Sequence, residues 1–248
     1  EASPRRRVRS KLARPMSKKI RAACVAASLS SITALAALPA SADATAPGDS
    51  LLELGCGTGV FSGILAKHGR RTTLLDFSPE SVEFCRAVFA RAGLPGRFVQ
   101  ADVCRAFPFA DGEFDCTWSS GLLEHFTDEQ LGHILAESAR VSRKCVVSLV
   151  PNARSLFYRA GKWYQESHGL WPWGQEDPKR TLKPFFKAAG LGDVREYALD
   201  VKTALAFAHT IRADAFRRAL LLLWHLLPEA GWQALGQGYL LVTVGRRK

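Results

Sequence analysis

Residues 51–59 read LLELGCGTG, an apolar run with one acid that gives way to three glycines within five positions. This pattern predicts a buried strand followed by a tight turn, because glycine adopts left-handed backbone angles and lets a ligand approach without a Cβ in the way. A helical pattern follows over residues 59–68, so free N–H groups at a helix start face the same place. The stretch predicts a site for a nucleotide-like ligand, and a turn with no ligand is the alternative reading.

A second strand pattern, RTTLLD over residues 71–76, ends in Asp76, 21 residues after Gly55. The dinucleotide-binding fingerprint places its ribose-binding acid at about this distance. The third glycine, however, comes one position early at Gly59, and Val60 stands where that fingerprint has its last glycine. A pyrophosphate cradle is therefore disfavoured, and no phosphate-binding G-x-x-x-x-G-K-[ST] pattern occurs at this turn.

The segment ELGCGTG, residues 53–59, resembles motif I of the class I S-adenosylmethionine-dependent methyltransferases. The resemblance covers residues 48–150 and extends more loosely to the end of the chain. It includes RFVQADV at 97–103, and EFDCTWSSGLLEHF at 113–126 is similar to the strand-four segment of the type 11 subgroup. The resemblance implies an α/β, Rossmann-like three-layer sandwich whose seven-stranded sheet is mostly parallel, with the last strand antiparallel.

The same resemblance implies S-adenosylmethionine as the cofactor. Asp76 would hold the ribose hydroxyls, Phe77 would pack against the adenine, and Asp102 would read the adenine amino group. The expected cofactor-binding residues are Glu53, Gly55, Cys56, Gly57, Gly59, Asp76, Phe77, Asp102, Val103 and Ser119. Capping of a helix is the alternative role for Asp76 and Asp102. No metal site is expected, since none of the six cysteines forms a C-x-x-C pair.

Strand and helix patterns alternate regularly after residue 50, which favours a sheet covered on both faces. We place strands near 51–54, 72–76, 97–101, 114–119, 144–150, 193–199 and 239–244, and helices near 59–68, 79–92, 128–141 and 180–189. Residues 48–248 are expected to form one catalytic domain, preceded by a basic leader at 1–47. Insertions at 151–178 and 201–237 depart from a minimal version of the fold.

The first insertion is rich in aromatic residues, which favours an ordered lid over the active site, with simple anchoring of a loop as the alternative. The candidate substrate-binding residues in it are Tyr158, Trp163, Tyr164, His168 and Trp171. The second insertion is expected to form helices that pack over the substrate side, mediate a homodimer or touch a membrane surface. It is too short and too charged to span a bilayer.

Methyl transfer from a sulfonium needs few catalytic side chains, because alignment of the reactants alone can contribute about 7–11 kcal/mol. His125 is the candidate general base, and His168 is held in reserve. The predicted function is methyl transfer to a small, apolar or aromatic acceptor. A nicotinamide-dependent oxidoreductase and a non-catalytic S-adenosylmethionine-binding protein are the alternatives.

The net charge of +11 lies mostly in the leader, where nine of the 34 Lys and Arg residues precede Ala22 and only Glu1 opposes them. The rest of the chain carries +3, so nucleic acid is not an expected partner. Residues 22–42 are uncharged and resemble a secretory signal peptide that begins at Met16, or else a helix over the cofactor cleft. A cytoplasmic location is expected because S-adenosylmethionine is made there, with export as the alternative.

Overall fold

The computed structural model describes residues 45–248. The two readings of the leader, as a signal peptide or as a helix over the cleft, concern residues outside this range. No helix within residues 45–248 is long and apolar enough to cross a membrane.

The described chain is built on one seven-stranded sheet. Its strands are β1 (Ser50–Leu54), β2 (Arg71–Asp76), β3 (Arg97–Gln100), β4 (Phe114–Ser120), β5 (Ser142–Pro151), β6 (Gly192–Leu199) and β7 (Leu240–Arg246). They lie in the order β3-β2-β1-β4-β5-β7-β6. Strand β7 runs antiparallel to both of its neighbours, and the pairs among β1 to β5 are parallel. The predicted fold class is confirmed.

Helices cover the sheet and fill both insertions. They are α1 (Val60–Lys67), α2 (Pro79–Ala92), α3 (Asp128–Val141), α4 (Leu156–Ser167), α5 (Lys183–Ala188), α6 (Val201–His209), α7 (Asp214–Trp224) and α8 (Glu229–Ala234). Two start signals explain why the bounds of α2 and α3 agree with those predicted. Ser78 caps α2 ahead of Pro79, and Thr127 forms a reciprocal capping box with Gln130 at the start of α3.

The sheet is buried on both faces because successive side chains of its central strands point to opposite sides. On one face, Leu52 and Val146 belong to a buried cluster with Leu131 of α3. On the other face, Leu51 and Trp118 belong to a separate buried cluster. This double burial explains why the strands read as continuous apolar runs rather than as alternating patterns.

The two insertions pack against each other rather than standing apart as loops. Helix α4, which the sequence did not predict, occupies part of the first insertion, and α6 of the second insertion packs on it. Phe157, Tyr158, Ala204 and Trp232 are members of a third buried cluster that joins these helices. The helices predicted for 201–237 are confirmed as α6, α7 and α8.

Candidate functional site

The glycine-rich turn after β1 contains three left-handed residues, with φ of +65° at Gly55, +50° at Gly57 and +66° at Gly59. A Cβ at Gly55 would lie 2.7 Å from a side-chain carbon of Leu122, and one at Gly59 would lie 2.7 Å from Cys85 Sγ. A Cβ at Gly57 would meet no atom of residues 45–248 within 4 Å. Packing against Cys85 and Leu74 requires glycine at position 59, whereas a Cβ at Gly55 would displace the Leu122 side chain. Among the described residues, Gly57 is limited only by its backbone angle.

Asp76, at the end of β2, ties this turn to the neighbouring strand. One carboxylate oxygen accepts a 2.9 Å hydrogen bond from the Gly57 N–H, and the other accepts one of 2.9 Å from the Ser78 N–H. The side chain that caps α2 is that of Ser78, so capping is not the role of Asp76. A carboxylate has about four acceptor positions, and those of Asp76 left over can accept hydroxyl groups. Phe77 follows with its residue surface 70% exposed.

Two residues of the motif lie beneath the turn rather than on its surface. Glu53 is buried in β1, and burial raises the pKa of its carboxyl to about 8. Its Oε2 has no hydrogen-bond partner among the described residues. Cys56 is also buried, with its Sγ 3.7 Å from that of Cys85. Both side chains support the turn from the core side.

Of the remaining predicted cofactor residues, Asp102 and Val103 lie just after β3, and Ser119 lies near the end of β4. Asp102 Oδ1 accepts a 2.9 Å hydrogen bond from the Cys104 N–H within a turn. No helix begins there, so the capping alternative does not hold for Asp102. Val103 is buried in the core, and Ser119 is buried with its hydroxyl 3.3 Å from that of Ser148.

These segments meet at one edge of the sheet because parallel strands place their carboxyl ends side by side. Strand β1 pairs with both β2 and β4, and Asp76 pairs in register with Gln100 at the end of β3. The edge offers a bare glycine backbone, a carboxylate with spare acceptor positions and an exposed aromatic ring. These groups fit an adenosyl ligand, whose ribose needs acceptors and whose base needs an apolar face.

Residues 51–144 match the model of a family described as a methyltransferase domain. Over these residues the chain is similar to methyltransferase domains. Its fold is that of solved methyltransferases, one of them with S-adenosylhomocysteine bound, and S-adenosylmethionine is the cofactor that this similarity indicates.

Two curated relatives are similar over part of their length. The chain is 33% identical over 121 residues to the malonyl-[acyl-carrier protein] O-methyltransferase of Serratia marcescens, covering 48% of this chain and 45% of the relative. It is 26% identical over 141 residues to the ubiquinone biosynthesis O-methyltransferase of Photorhabdus laumondii, covering 55% and 58%. The matched region thus spans about half of each relative.

Solved structures show the same fold at low sequence identity. Magnesium protoporphyrin IX methyltransferase from Synechocystis PCC 6803, solved with S-adenosylhomocysteine bound, has a TM-score of 0.60 at 13% identity, covering 95% of this chain and 89% of that one. A SAM-dependent methyltransferase from Archaeoglobus fulgidus has a TM-score of 0.57 at 17% identity, covering 87% and 93%.

A second group of polar residues lies just beyond β4. One donor atom each from Glu124, His125 and Glu176 lies within 4.8 Å of the other two. The Lys162 ammonium is 3.5 Å from the Glu176 carboxylate and 2.8 Å from that of Glu166. Carboxylate oxygens and an imidazole nitrogen are common metal ligands, but the positive charge of the nearby Lys162 ammonium would repel a metal ion here.

Several polar atoms of this group are buried without a hydrogen-bond partner among the described residues. They are Glu124 Oε2, the Tyr158 hydroxyl and Trp171 Nε1, whereas Glu176 Oε2 lacks a hydrogen bond but faces the Lys162 ammonium at 3.5 Å. The pKa of Glu124 is raised to about 8, mainly by burial and to a smaller extent by Glu176, while a backbone hydrogen bond and Lys162 act in the opposite direction. Burial also raises the pKa of Tyr158. Because buried polar atoms are almost always satisfied, this concentration marks a place where a ligand can supply partners.

His125, the predicted base, is exposed, and its Nδ1 lies 3.0 Å from the Gln175 carbonyl oxygen. A carbonyl only accepts, so Nδ1 carries a proton, and the neutral tautomer with this hydrogen bond has its lone pair on Nε2. The sequence did not single out Glu124, Lys162 or Glu176. The acid next to His125 was a usable signal, whereas the other two come from a helix and loop whose placement depends on distant packing.

The predicted substrate residues divide into two sets. Tyr158 interacts electrostatically with Glu124 and Glu176, and the Trp171 ring lies 3.9 Å from the Lys162 ammonium. These two rings therefore border the polar group. Trp163 is 61% exposed and packs edge-on against Phe216. Tyr164 and His168 stack on each other at the end of α4.

Proposed function

We propose that the chain is an S-adenosylmethionine-dependent methyltransferase that acts on a small-molecule acceptor. The observation that carries the proposal is the direct hydrogen bond from the Gly57 N–H to Asp76, which fixes an open glycine turn against a strand-ending carboxylate. The similarity to methyltransferase domains over residues 51–144 supports it independently. The nicotinamide-dependent alternative lacks the third fingerprint glycine, because Val60 stands in its place.

The cofactor residues have distinct roles in this proposal. When bound, S-adenosylmethionine supplies an electrophilic methyl group. Asp76 accepts hydrogen bonds from the ribose hydroxyls, Phe77 covers the adenine, and Asp102 binds the adenine amino group. Gly57 allows the ligand to approach its backbone, while Glu53 and Cys56 hold the turn from below. Of the other predicted residues, Val103 and Ser119 shape the walls.

The acceptor is proposed to present a hydroxyl group next to an apolar or aromatic body. The two relatives described above are named O-methyltransferases, and the rings of Tyr158 and Trp171 border the polar group beyond β4. Near neutral pH the buried Glu124 carboxyl keeps its proton, since its pKa is about 8. We therefore assign the base to His125, whose Nε2 takes the hydroxyl proton as the oxygen attacks.

A homodimer and a cytoplasmic location belong to the same proposal. Leu222 and Leu226, at and just after the end of α7, are 68% and 71% exposed and offer an apolar contact. The five cysteines among the described residues are free thiols, which suits a reducing compartment. Light scattering on the purified chain tests the dimer.

Calorimetric titration with S-adenosylhomocysteine tests the cofactor site. Hydrogen bonds to a charged group contribute about 1.5–3 kcal/mol, so Asp76→Ala should weaken binding about 10- to 100-fold. Glu83→Ala is the matched control, since it removes an exposed carboxylate from α2 and should bind as the parent does. NAD should not bind to either protein.

Unchanged affinity in Asp76→Ala would refute the assigned ribose contact, and saturable binding of NAD would favour the oxidoreductase. Transfer of a labelled methyl group to phenolic acceptors then separates an enzyme from a protein that only binds the cofactor. In that assay, His125→Gln should lower the rate about 10²- to 10⁴-fold without changing cofactor affinity, as expected for loss of a general base.

A further inference from the structure

A cavity of about 450 Å³ lies where β5 has ended and α4 begins. Among the described residues, its lining contains three arginines and no Asp or Glu. The lining residues are Ala153, Arg154, Ser155, Leu156, Arg159, Arg180, Trp232, Leu235 and Gln237. Its volume is within the range of small-molecule sites, about 300–1,000 Å³. We call it the arginine pocket.

The three guanidinium groups of this pocket have no hydrogen-bond acceptor or ion-pair partner within residues 45–248. Unpaired arginines also occur singly elsewhere within residues 45–248, as at Arg91 and Arg218, whereas this pocket brings three together; several other arginines are paired. Arg140 pairs with Glu137 and Asp111, and Arg143 pairs with Asp115. Three unpaired like charges around one cavity repel each other, and an oxyanion would offset that repulsion while accepting paired N–H groups from the planar guanidinium.

The base of the arginine pocket is held by an ordered set of hydrogen bonds. The Asn152 amide donates to the carbonyl oxygens of Gly236 and Gly238, each at 2.9 Å. The Ser155 hydroxyl donates to the Gln237 carbonyl at 3.1 Å, and the Leu156 N–H donates to the Gln237 side chain at 2.8 Å. The lining is therefore in place before any ligand arrives, which reduces the entropy lost on binding.

Two further features suit a ligand with one charged end. The amino end of α4, a 12-residue helix, contributes Leu156 to the lining, so the helix dipole adds positive potential there. Leu156 and Leu235 are exposed apolar side chains on the rim, next to Trp232. An anion alone would leave this apolar surface in water, whereas an ester would cover it.

We propose that the arginine pocket binds a phosphate ester, with its oxyanion between Arg154, Arg159 and Arg180 and its apolar body against Leu156 and Leu235. The proposal does not rest on the methyltransferase activity. Inorganic phosphate and an organic phosphate ester share the oxyanion that the arginines would bind. The two probes below distinguish these two ligands.

The test is calorimetric titration of the full chain with phenyl phosphate and with inorganic phosphate. Phenyl phosphate should bind more tightly than inorganic phosphate. Arg159→Gln and Arg180→Gln should each weaken binding of phenyl phosphate at least tenfold. Arg218→Gln is the control, because it removes the same charge from an exposed position on α7, and it should leave binding unchanged. S-adenosylhomocysteine should bind equally to all four proteins.

The absence of saturable phosphate binding would overturn the proposal, as would equal losses in Arg159→Gln and Arg218→Gln. Equal affinities for the two probes would overturn the assignment to an ester and leave a free oxyanion site. A loss of S-adenosylhomocysteine binding in the pocket variants would show that they act on the cofactor site instead. Failure of the methyltransferase assay alone would leave this result unaffected.

Discussion

At the scale of single residues, the glycine turn combines two different requirements. Gly55 and Gly59 are held against side chains of the core, whereas Gly57 faces open space. All three take left-handed angles, which an L-residue with a side chain adopts only at a cost. The motif is therefore partly a folding element and partly a binding element, and substitution should separate the two.

Gly59→Ala should destabilise the fold by about 1–3 kcal/mol, because its methyl group overlaps Cys85 Sγ and Leu74 in addition to the backbone strain. Gly57→Ala should destabilise it by only about 1 kcal/mol, from the backbone conformation alone. Its methyl group would occupy the ligand's space, so cofactor affinity should fall more than stability does. Urea unfolding and calorimetry measure the two effects, and equal stability losses would contradict this division.

Residue positions close to the motif were predictable because the chain itself fixes their separation. Asp76 follows the glycine turn by a strand, a helix and a second strand, and parallel pairing brings it back beside Gly57. Glu176 was not predictable, since it comes from a loop that folds over the end of β4. Nothing in its local sequence distinguishes it from an exposed acid.

At the scale of elements, the helices of the two insertions depend on each other. Helix α4 packs on α6, and Gly161 lies at their closest approach, where a Cβ would overlap the Phe207 carbonyl group. An isolated helix of 12 residues is marginal in water, so tertiary packing rather than local propensity stabilises α4. That dependence explains why the sequence predicted an aromatic lid over 151–178 but no helix in it.

Gly161→Ala should push α4 away from α6 and destabilise the insertions by about 1–3 kcal/mol, since overpacking forces the backbone to shift. The displacement would also move Tyr158 and Lys162, which border the polar group beyond β4. Thermal unfolding and acceptor affinity check this prediction. Gly132→Ala in α3 is the control, because its Cβ would meet nothing within 4 Å and should be tolerated. Equal melting temperatures in the two variants would contradict the packing argument.

At the scale of the whole molecule, the two edges of the sheet differ in how their charges are satisfied. At the amino edge, Asp115 binds Arg143 and Lys144, and Asp49 binds Lys144. Beyond the carboxyl edge, Glu124 and Tyr158 are buried with polar atoms that lack hydrogen-bond partners within residues 45–248. The ion pairs at the amino edge stabilise the fold. Ligands are expected beyond the carboxyl edge, where they can bind the polar atoms that lack partners.

The raised pKa of Glu124 makes stability depend on pH in a defined direction. Its usual pKa is 4.5 and its folded-state pKa is about 8, so the folded state binds more protons between these values. The contribution of Glu124 to the free energy of unfolding is therefore greatest below pH 4.5. It falls as the pH rises toward 8. Glu124→Gln mimics the protonated form and should be more stable than the parent protein above pH 8. Between pH 4.5 and 8 its free energy of unfolding should change less with pH than that of the parent.

Urea unfolding across this pH range measures the effect, and Glu129→Gln, an exposed position on α3, is the control that should follow the parent. A Glu124→Gln profile parallel to that of the parent would show that the carboxyl is ionised in the fold. Glu53 contributes a decline of the same sign, since burial raises its pKa to about 8 as well. The decline therefore persists in part in the Glu124→Gln protein.

The most direct test of the account is a crystal structure of the chain with S-adenosylhomocysteine bound. We expect both ribose hydroxyls within about 2.6–3.2 Å of the Asp76 carboxylate, the adenine against Phe77, and the sulfur directed toward Glu124 and His125. A ribose that faces away from Asp76, or a ligand bound away from the glycine turn, would contradict it.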